Sequence, residues 1–253
     1  MALTNLFPKL KAAAKSKLVF SSQTDLGHKV YSRLKSLSAE SVYFLDVGAN
    51  VGQSTIPYSK LKLENGRINL VVHSFEPFIE NFEKLSRDTK NITNIHVHNV
   101  GMGSFSQVIE VPLAANPEWH SISNQERWRE SGRGVEKIIV LTLDEFVEEQ
   151  SINGPIILKT DTEGFDLEVL RGANRLLSLG MIEIVICEVG FNKEDNQHSF
   201  FIDVFNYLSG FGYRLCEIQD QVAYKHPDWG GALSIGYANA WFVSPVRVQK
   251  LRL

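Results

Sequence analysis

Short apolar runs alternate with stretches of amphipathic spacing along most of the chain. The clearest apolar runs have the length of strands, end in polar residues and cover positions 42–45, 69–75, 155–160 and 182–187. Phe78, Phe82 and Leu85 follow the second run at helical spacing. This alternation predicts an α/β fold with helices on both faces of a mostly parallel sheet.

Weaker patterns add further elements to this prediction. We expect strands at 92–100, 108–113, 135–143, 213–218 and 238–243, and helices at 79–85, 166–177 and 199–209. The polar connection 115–134 is long for a segment without regular structure, and such loops often carry function.

Length and composition fit one domain with additions. The 253 residues, of which 43% are hydrophobic and 22% charged, can bury a sizeable core. We expect an N-terminal helical extension over 1–37, where the basic and apolar residues 5–20 form either a solvated helix or a segment on a membrane surface. The domain then spans 38–253, and the segments 115–134 and 219–237 are expected to be loops that shape a ligand pocket.

Charge and cysteine content narrow the class of protein. A net charge of -3 gives no attraction for nucleic acid or anionic membrane, so a small-molecule ligand is favoured. No apolar run reaches the roughly 20 residues that span a bilayer, and a secretory signal is not evident. Cys187 and Cys216 lie in apolar runs and are expected to be two buried thiols. We therefore predict a cytoplasmic protein.

The segment from Asp46 to Gln53 carries the first chemical signal. A buried strand ends there in a carboxylate, turns through Gly48 and Gly52, and opens a helix, which favours a nucleotide-like ligand at the strand end. Asp46 would repel a dinucleotide pyrophosphate, whereas it would attract a cofactor that carries ammonium and sulfonium groups.

Acidic residues follow four of the predicted strands. Asp46, Glu76, Asp161 and Glu188 should therefore meet at one edge of a parallel sheet, where α/β proteins bind ligands. Each acid alone fits a helix cap equally well. Glu76 lies 24 positions after Gly52, the spacing of an acid that binds ribose hydroxyls.

Four motifs in order resemble the FkbM family of S-adenosylmethionine-dependent methyltransferases. They are Asp46-Val47-Gly48-Ala49-Asn50-Val51-Gly52-Gln53, Phe75-Glu76-Pro77, Leu141-Thr142-Leu143-Asp144, and Lys159-Thr160-Asp161-Thr162-Glu163-Gly164 with Glu168-Val169-Leu170-Arg171-Gly172-Ala173. The resemblance covers about residues 40–190, and 238–243 fits the family's last strand. It implies a Rossmann-like class I methyltransferase fold, a three-layer αβα sandwich around a seven-stranded sheet whose last strand is antiparallel. Thr162 departs from the family, which often has an apolar residue there.

The resemblance also assigns the binding of S-adenosylmethionine. The methionyl part of the cofactor would contact the first turn, through Asp46, Gly48, Asn50, Gly52, Gln53 and Ser54. Glu76 and Pro77 would lie at the ribose, and Asn99, Val100, Gly101 and Ser104 near the adenine. Asp161 would face either the ammonium group of the cofactor or the acceptor.

Methyl transfer to a hydroxyl needs alignment and a base. Because a hydroxyl is a poor nucleophile at neutral pH, a positioned base helps, and Asp161, Glu163 and His120 are the candidates. Each candidate also has an alternative role. Asp161 could pair with the cofactor ammonium or with Lys159, and Glu163 could cap the following helix. His120 could simply be exposed on a loop. The acids also leave open a magnesium ion, for which no ligands are assigned. Tryptophans in polar context are expected either to stack on an acceptor or to anchor loops; they are Trp119, Trp128 and Trp229.

These observations favour an O-methyltransferase that acts on a hydroxyl of a saccharide or secondary metabolite, the acceptor class being implied by the resemblance. A nicotinamide-dependent oxidoreductase is the alternative enzyme, weakened by the missing G-x-G-x-x-G pattern and by Asp46. A non-catalytic binding protein on the same fold is the third hypothesis. A nucleic-acid substrate is disfavoured, and a homo-oligomer is left open.

Overall fold

A computed structural model describes residues 18–20, 40–61, 68–114, 120–123, 133–226 and 232–245. Within these ranges the strands are β1 (Leu18–Phe20), β2 (Ser41–Val47), β3 (Asn69–Phe75), β4 (Ile95–His98), β5 (Gly101–Met102), β6 (Gln107–Pro112), β7 (Val135–Leu141), β8 (Ile156–Thr160), β9 (Ile182–Gly190), β10 (Ser199–Phe200), β11 (Arg214–His226) and β12 (Ala232–Val243). The helices are α1 (Thr55–Ser59), α2 (Ile79–Thr89), α3 (Leu143–Glu149), α4 (Asp166–Arg171), α5 (Asn174–Ser178) and α6 (Phe201–Gly210).

The main sheet has the strand order β1-β11-β12-β9-β8-β2-β3-β4, with β10 beside β9. Neighbours from β9 to β4 are parallel, whereas β12 is antiparallel to both β9 and β11. The seven strands from β11 to β4, with β12 reversed, confirm the expected class I methyltransferase sheet. β1 and β10 are additions to it.

Successive side chains of the central strands point to opposite faces of the sheet, so the hydrophobic core has one part on each face. In β2, Val42 and Phe44 pack on one face together with Tyr58 of α1. Leu45 and Val47 point to the other face, where helices α3 to α6 supply further buried side chains. The parallel strands therefore bury both faces, as their apolar runs predict.

A small sheet of order β5-β7-β6 lies beside the carboxyl end of the main sheet. Its inner residues Val111, Ile138 and Val140 pack on Phe78, just before α2. The predicted strands 108–113 and 135–143 therefore belong to this sheet. The strand ends at Leu141 because Thr142 and Glu145 form a capping box that starts α3.

Several predicted boundaries differ from the structure. The strand expected at 92–100 covers only Ile95–His98, and the helix expected at 166–177 is divided into α4 and α5. Most of the loop expected at 219–237 is instead the paired ends of β11 and β12, while 227–231 lie outside the described residues. Long cross-strand pairing outweighs the polar composition of these ends.

The structure also differs from the expectations for the N-terminal segment and for one cysteine. Leu18–Phe20 is a strand paired with β11, although a helix was expected, and the rest of 1–37 lies outside the described residues. Cys187 is buried as expected, but Cys216 is exposed, so the prediction of two buried thiols is wrong for Cys216. In the described part of the chain, no helix combines the length and apolarity that crossing a membrane requires.

Candidate functional site

A cavity of about 430 Å³ opens at the carboxyl ends of β2, β3, β8 and β9. Four of the described side chains that line it are carboxylates, and none is Lys or Arg. The predicted site residues in the lining are Gly48, Asn50, Gln53, Ser54, Glu76, Pro77, Gly101, His120, Asp161 and Glu163. Those outside it are Asp46, Gly52, Asn99, Val100 and Ser104. The strand ends thus bring together most of the predicted site.

Gly48 lets the two acid-bearing turns meet. Its φ of 80° is in the left-handed region, and a Cβ there would lie 1.9 Å from the carbonyl oxygen of Asp161. The N–H groups of Gly48 and Ala49 both donate to the carbonyl of Phe75, at 3.1 and 3.0 Å. The first turn is therefore joined to the ends of β3 and β8.

Asp46 lies beneath the cavity and is fully buried. Its Oδ2 accepts a hydrogen bond of 2.6 Å from the hydroxyl of Thr55, which also contacts the hydroxyl of Ser74. Burial raises the pKa of Asp46, while Lys159 opposes the rise. In this position Asp46 supports the start of α1, and its contact with a cofactor stays a prediction.

Glu76 has its carboxylate at the end of β3, and both oxygens accept backbone hydrogen bonds. Oε2 accepts from the N–H of Asn50 at 2.9 Å, and Oε1 accepts from the N–H of Phe78 at 3.0 Å. Burial raises the pKa of Glu76 to about 7, although these donors lower it. The hydrogen bonds fix the orientation of the Glu76 side chain, and a pKa of about 7 lets its carboxyl group change charge near neutral pH.

Asn99 positions the loop that carries Glu76. Its Nδ2 donates to the carbonyls of Glu76 and Pro77, at 3.0 and 2.9 Å. Beyond it, Gly101 and Met102 reach the cavity, whereas Val100 and Ser104 do not. Asn99 thus contributes to the predicted adenine side by holding the backbone.

Lys159 and Asp161 form an ion pair at the end of β8. Nζ of Lys159 lies 2.8 Å from Oδ2 of Asp161, and the lysine side chain is buried. Burial acts to raise the pKa of Asp161, but the charge and hydrogen bond of Lys159 hold it below its usual range. This confirms the pairing expected as an alternative and leaves Asp161 ionised.

Glu163 is held in an unusual backbone conformation at the cavity. Its φ is 53°, and its carbonyl accepts hydrogen bonds from the hydroxyls of Ser121 and Ser123, at 2.8 and 2.7 Å. Burial, reinforced by the charge of Asp161, raises the pKa of Glu163 to about 7. The alternative role as a helix cap is wrong, because α4 starts after Phe165 without a side-chain cap.

His120 lines the cavity but is already engaged. Its Nδ1 accepts a hydrogen bond of 3.0 Å from the N–H of Ala114, and the ring packs on Phe78 with centroids 4.5 Å apart. A neutral imidazole that accepts at Nδ1 carries its proton on Nε2. Burial and then Arg133 lower the pKa of His120. It is buried, so the alternative of a merely exposed histidine is wrong.

Two further residues line the wall next to Asp161. Glu188, at the end of β9, was expected at this edge of the sheet but was given no role, and Tyr237, on β12, was not predicted as a site residue. Burial and the charge of Asp161 raise the pKa of Glu188, which shares a hydrogen bond with Asp161. Tyr237 could be reached from sequence only as part of the segment 219–237.

No group of three or more His, Cys, Asp or Glu side chains within the described ranges is arranged to hold a metal ion. The magnesium left open by the sequence therefore gains no ligand set. Three tryptophans considered for stacking lie outside the described residues; they are Trp119, Trp128 and Trp229.

Comparison with known proteins identifies the family. The sequence profile of the Methyltransferase FkbM domain matches residues 46–215, about two thirds of the chain. The chain belongs to the FkbM methyltransferase family. The match includes all four motifs on which the resemblance rests, together with the turn, the Glu76 loop and the Lys159–Asp161 pair.

Individual relatives of this FkbM-family chain are distant. The hexuronic acid methyltransferase AglP of Haloferax volcanii is 29% identical over 154 residues, which cover 59% of this chain and 57% of AglP. The solved FkbM methyltransferase of Methylobacillus flagellatus KT has a TM-score of 0.47 and 21% identity, over 84% of this chain and 46% of that one. A precorrin-6y C5,15-methyltransferase of Geobacter metallireducens has a TM-score of 0.45 and 10% identity, over 87% of each chain. The chain thus spans about half the length of the first two relatives.

Proposed function

We propose that this FkbM-family protein is an S-adenosylmethionine-dependent methyltransferase that methylates a hydroxyl of a saccharide or secondary metabolite. One observation carries the proposal, which is the cavity at the strand ends that four carboxylates line without a described Lys or Arg. Such a lining suits a positively charged cofactor and disfavours a pyrophosphate. Family membership supports methyl transfer as the reaction.

The residues present fit the cofactor. Glu76 offers two oriented oxygens for ribose hydroxyls, and Oδ1 of Asn50 is a buried acceptor without a hydrogen-bond partner beside the turn. Phe78, Met102 and Ile122 supply an apolar surface of the kind an adenine ring requires. When bound, the cofactor supplies the electrophilic methyl group on its sulfonium sulfur.

The acceptor class rests on the relatives. AglP is named as a hexuronic acid methyltransferase, which favours a saccharide hydroxyl for the present chain as well. The described lining beyond the cofactor residues, with Ser121, Glu163 and Glu188, offers hydrogen bonds for a polyhydroxylated ligand.

Glu163 is the base favoured by the site. Asp161 forms an ion pair with Lys159. The lone pair of Nδ1 in His120 already accepts a hydrogen bond from the N–H of Ala114. Glu163 has a pKa of about 7 and lines the cavity, so it can take a proton at neutral pH. Its carboxylate would take the proton of the acceptor hydroxyl, whose oxygen would gain the methyl group as the bond from that group to the sulfonium sulfur breaks and S-adenosylhomocysteine is left.

Binding and turnover test the proposal. Calorimetry should show tight binding of S-adenosylhomocysteine, and radiolabelled methyl groups should appear on one or more of glucose, galactose, glucuronate, galacturonate and their methyl glycosides. The screen is run with and without magnesium. Binding of reduced nicotinamide in place of S-adenosylhomocysteine would support the oxidoreductase, and binding without transfer to any acceptor would support a non-catalytic protein.

Glu163→Gln tests the base. The amide keeps the shape but accepts no proton, so kcat should fall by about 10²- to 10⁴-fold while S-adenosylhomocysteine binds as before. Asp161→Asn serves as the comparison, since it should weaken cofactor binding as well. An unchanged kcat in Glu163→Gln contradicts the assignment.

A further inference from the structure

The hairpin formed by β11 and β12 leads outward from the wall of the cavity. Tyr237 of β12 lines the cavity and pairs with Gly190 at the end of β9. Residues 232–235 continue the pairing with β11 after the pairing with β9 has ended. The hairpin therefore extends past the carboxyl ends of the parallel strands, at the end of the sheet where the cavity lies.

Tyr224 of β11 lies next to Tyr237 and is accessible to solvent. The two ring centroids are 6.3 Å apart with an interplanar angle of 43°, and the side chains share a hydrogen bond. Tyr237 also stacks on the ring of His198, with centroids 4.2 Å apart. Tyr224 is 38% exposed and is not among the described residues of the cavity lining. Its ring thus lies at the rim of the cavity, directly beyond a residue of the wall.

Gly236 fixes the position of the Tyr224 ring on the hairpin. A Cβ at this position would lie 2.4 Å from Cε2 and 2.5 Å from Cδ2 of Tyr224. The ring therefore packs against the backbone of β12 at a point where any residue other than glycine would displace it. This contact orders the ring before a ligand binds, while the rest of its surface stays exposed.

The size of the cavity limits how much of an acceptor it can hold. Its volume of about 430 Å³ is near the lower end of the roughly 300–1,000 Å³ that pockets for one small molecule have. Bound S-adenosylmethionine would fill most of this space. The part that remains, beside Glu163 and Glu188, suits the sugar unit that carries the reacting hydroxyl.

A further sugar unit would lie at the rim beside Tyr237. Tyr237 and Glu188 belong to the same part of the wall, because the ring of His198 stacks on Tyr237 while its Nε2 is 3.6 Å from Oε2 of Glu188. An acceptor with its first unit at Glu188 therefore passes Tyr237 as it leaves the cavity. The exposed ring that it meets there is that of Tyr224.

The chemistry of this rim and of the wall behind it matches a saccharide. A sugar ring has an apolar face of C–H groups, which stacks on aromatic rings, and hydroxyl groups around its edge. The Tyr224 ring offers the stacking surface outside the cavity. Inside it, the carboxyl groups of Glu163 and Glu188 can accept hydrogen bonds from hydroxyls.

We propose that Tyr224, held on Gly236, forms a saccharide subsite outside the cavity and binds the sugar unit next to the one that is methylated. The inference rests on the proposed function, because it takes the acceptor to be a saccharide. It assigns this protein a glycoside or oligosaccharide acceptor in preference to a free monosaccharide.

Acceptor binding to the complex with S-adenosylhomocysteine tests the subsite without turnover. Calorimetry compares cellobiose, maltose, lactose and melibiose with the methyl glycosides of glucose and galactose. At least one disaccharide should bind about 3- to 10-fold more tightly than the methyl glycosides, which is the gain expected from one stacking contact. Equal or weaker binding of all four disaccharides, or no binding of any, would overturn the proposal.

Three variants separate the ring from the rest of the residue. Tyr224→Ala removes the ring and should abolish the preference for the disaccharide, whereas Tyr224→Phe keeps the ring and should retain the preference within about twofold. Gly236→Ala leaves Tyr224 intact but displaces its ring, so the preference should fall as it does in Tyr224→Ala. If Tyr224→Phe loses the preference as well, the hydrogen bond to Tyr237 carries the effect and the stacking contact is overturned.

Phe205→Ala is the matched control. Phe205 on α6 is 36% exposed, close to the value of Tyr224, and is not among the described residues of the cavity lining. Its loss should leave the ratio of disaccharide to methyl glycoside affinity unchanged. Thermal unfolding and the Kd for S-adenosylhomocysteine establish that each variant is folded with an intact cofactor site. An equal loss of affinity for both kinds of sugar in Tyr224→Ala would mean that Tyr224 only supports Tyr237, which overturns the proposal.

Turnover distinguishes a failure of the subsite from a failure of the proposed function. With a disaccharide that is methylated, Tyr224→Ala should raise KM by about 3- to 10-fold and leave kcat within about twofold. Methylation of sugars with no effect of Tyr224→Ala on any KM would retain the proposed function and overturn the subsite. Disaccharide binding that depends on Tyr224, without methylation of any sugar, would do the reverse. Tighter binding of p-nitrophenyl glycosides alone would assign the ring to an apolar aglycone and overturn the saccharide subsite.

Discussion

Glu76 and Asp161 are both acids at strand ends, yet their surroundings move their pKa values in opposite directions. Glu76 accepts from two backbone N–H groups and from the Asn81 side chain, but burial outweighs these donors and the pKa rises to about 7. Asp161 has Lys159 at 2.8 Å, and its pKa falls. The sequence predicts where both carboxylates lie, but their charge depends on which partner the fold brings near.

Glu76 should make cofactor binding depend on pH. If ribose hydroxyls require the carboxylate, the protonated fraction must release its proton on binding, so affinity rises through pH 7. With a pKa of about 7 in the free protein, the Kd for S-adenosylhomocysteine should be about tenfold weaker at pH 6 than at pH 8. Calorimetry at the two values measures this ratio.

Glu76→Gln is the matched variant for that experiment. It should bind S-adenosylhomocysteine about 10- to 100-fold more weakly at pH 8, because hydrogen bonds to a charged group are worth about 1.5–3 kcal/mol. Its affinity should be the same at pH 6 and pH 8. A variant that keeps the pH dependence of the parent would show that another group titrates.

At the scale of elements, the motifs shared with the family have two kinds of role. The turn after β2 and the end of β8 build the cavity. The segment 141–144 does not reach it; Thr142 caps α3, and Asp144 accepts from the N–H groups of Arg175 and Leu176, at 2.8 and 3.0 Å. A motif in a sequence can therefore mark packing between helices as readily as binding.

Asp144→Ala should destabilise the protein without affecting the site. The loss of two carboxylate bonds at the start of α5 should cost about 1–2 kcal/mol in the free energy of unfolding, measured with urea. Glu148→Ala on the same helix removes only an exposed ion pair with Arg175 and should cost less than about 0.5 kcal/mol. A change in S-adenosylhomocysteine affinity in Asp144→Ala would contradict a purely structural role.

Strands β3 and β4 carry three histidines that should make the fold sensitive to acid. Nδ1 of His73 lies 3.0 Å from Nε2 of His98, and His96 stacks on His73. Burial, followed by repulsion from neighbouring imidazoles, lowers the pKa of His73 and of His98 to about 4. The folded protein thus favours the neutral rings.

The sign of the effect follows from the lowered pKa values. In the unfolded chain these histidines have a pKa of about 6.5, so they take up protons there before they do in the folded protein. Their contribution to the free energy of unfolding is therefore fully present above about pH 6.5 and declines toward pH 4. Each histidine adds a slope of up to about 1.4 kcal/mol per pH unit. A double His73→Asn, His98→Asn variant should show a flatter dependence of the free energy of unfolding on pH than the parent in urea titrations.

At the scale of the whole molecule, the site exists because separate segments meet. Gly48 contacts the backbone of Asp161 from 113 positions away, and Ser121 reaches the carbonyl of Glu163 from the connection between β6 and β7. Ligand binding should therefore stabilise the entire domain.

S-adenosylhomocysteine should raise the Tm in proportion to the logarithm of its concentration. At 100 times the Kd the gain is about 2.7 kcal/mol, which corresponds to roughly 5–10 °C for a domain of this size. Scanning fluorimetry measures the shift, and Glu76→Gln should show a smaller one at the same concentration. A shift with reduced nicotinamide and none with S-adenosylhomocysteine would favour the oxidoreductase.

The sequence alone determined the strands and the acids at their ends, because burial on both faces leaves continuous apolar runs and glycine turns leave local signals. Thus 42–45, 69–75 and 182–187 lie within observed strands, and 155–160 does so except for its first residue. Local patterns could not show that 219–226 and 232–237 pair with each other, since hairpin pairing supplies the stability that their composition lacks. Only the tertiary structure placed Lys159 against Asp161 and His198 beside Glu188. It also showed that Nδ1 of His120 accepts a hydrogen bond from the backbone of Ala114. The charge state of each acid depends on partners distant in sequence, and those partners are known only once the chain is folded.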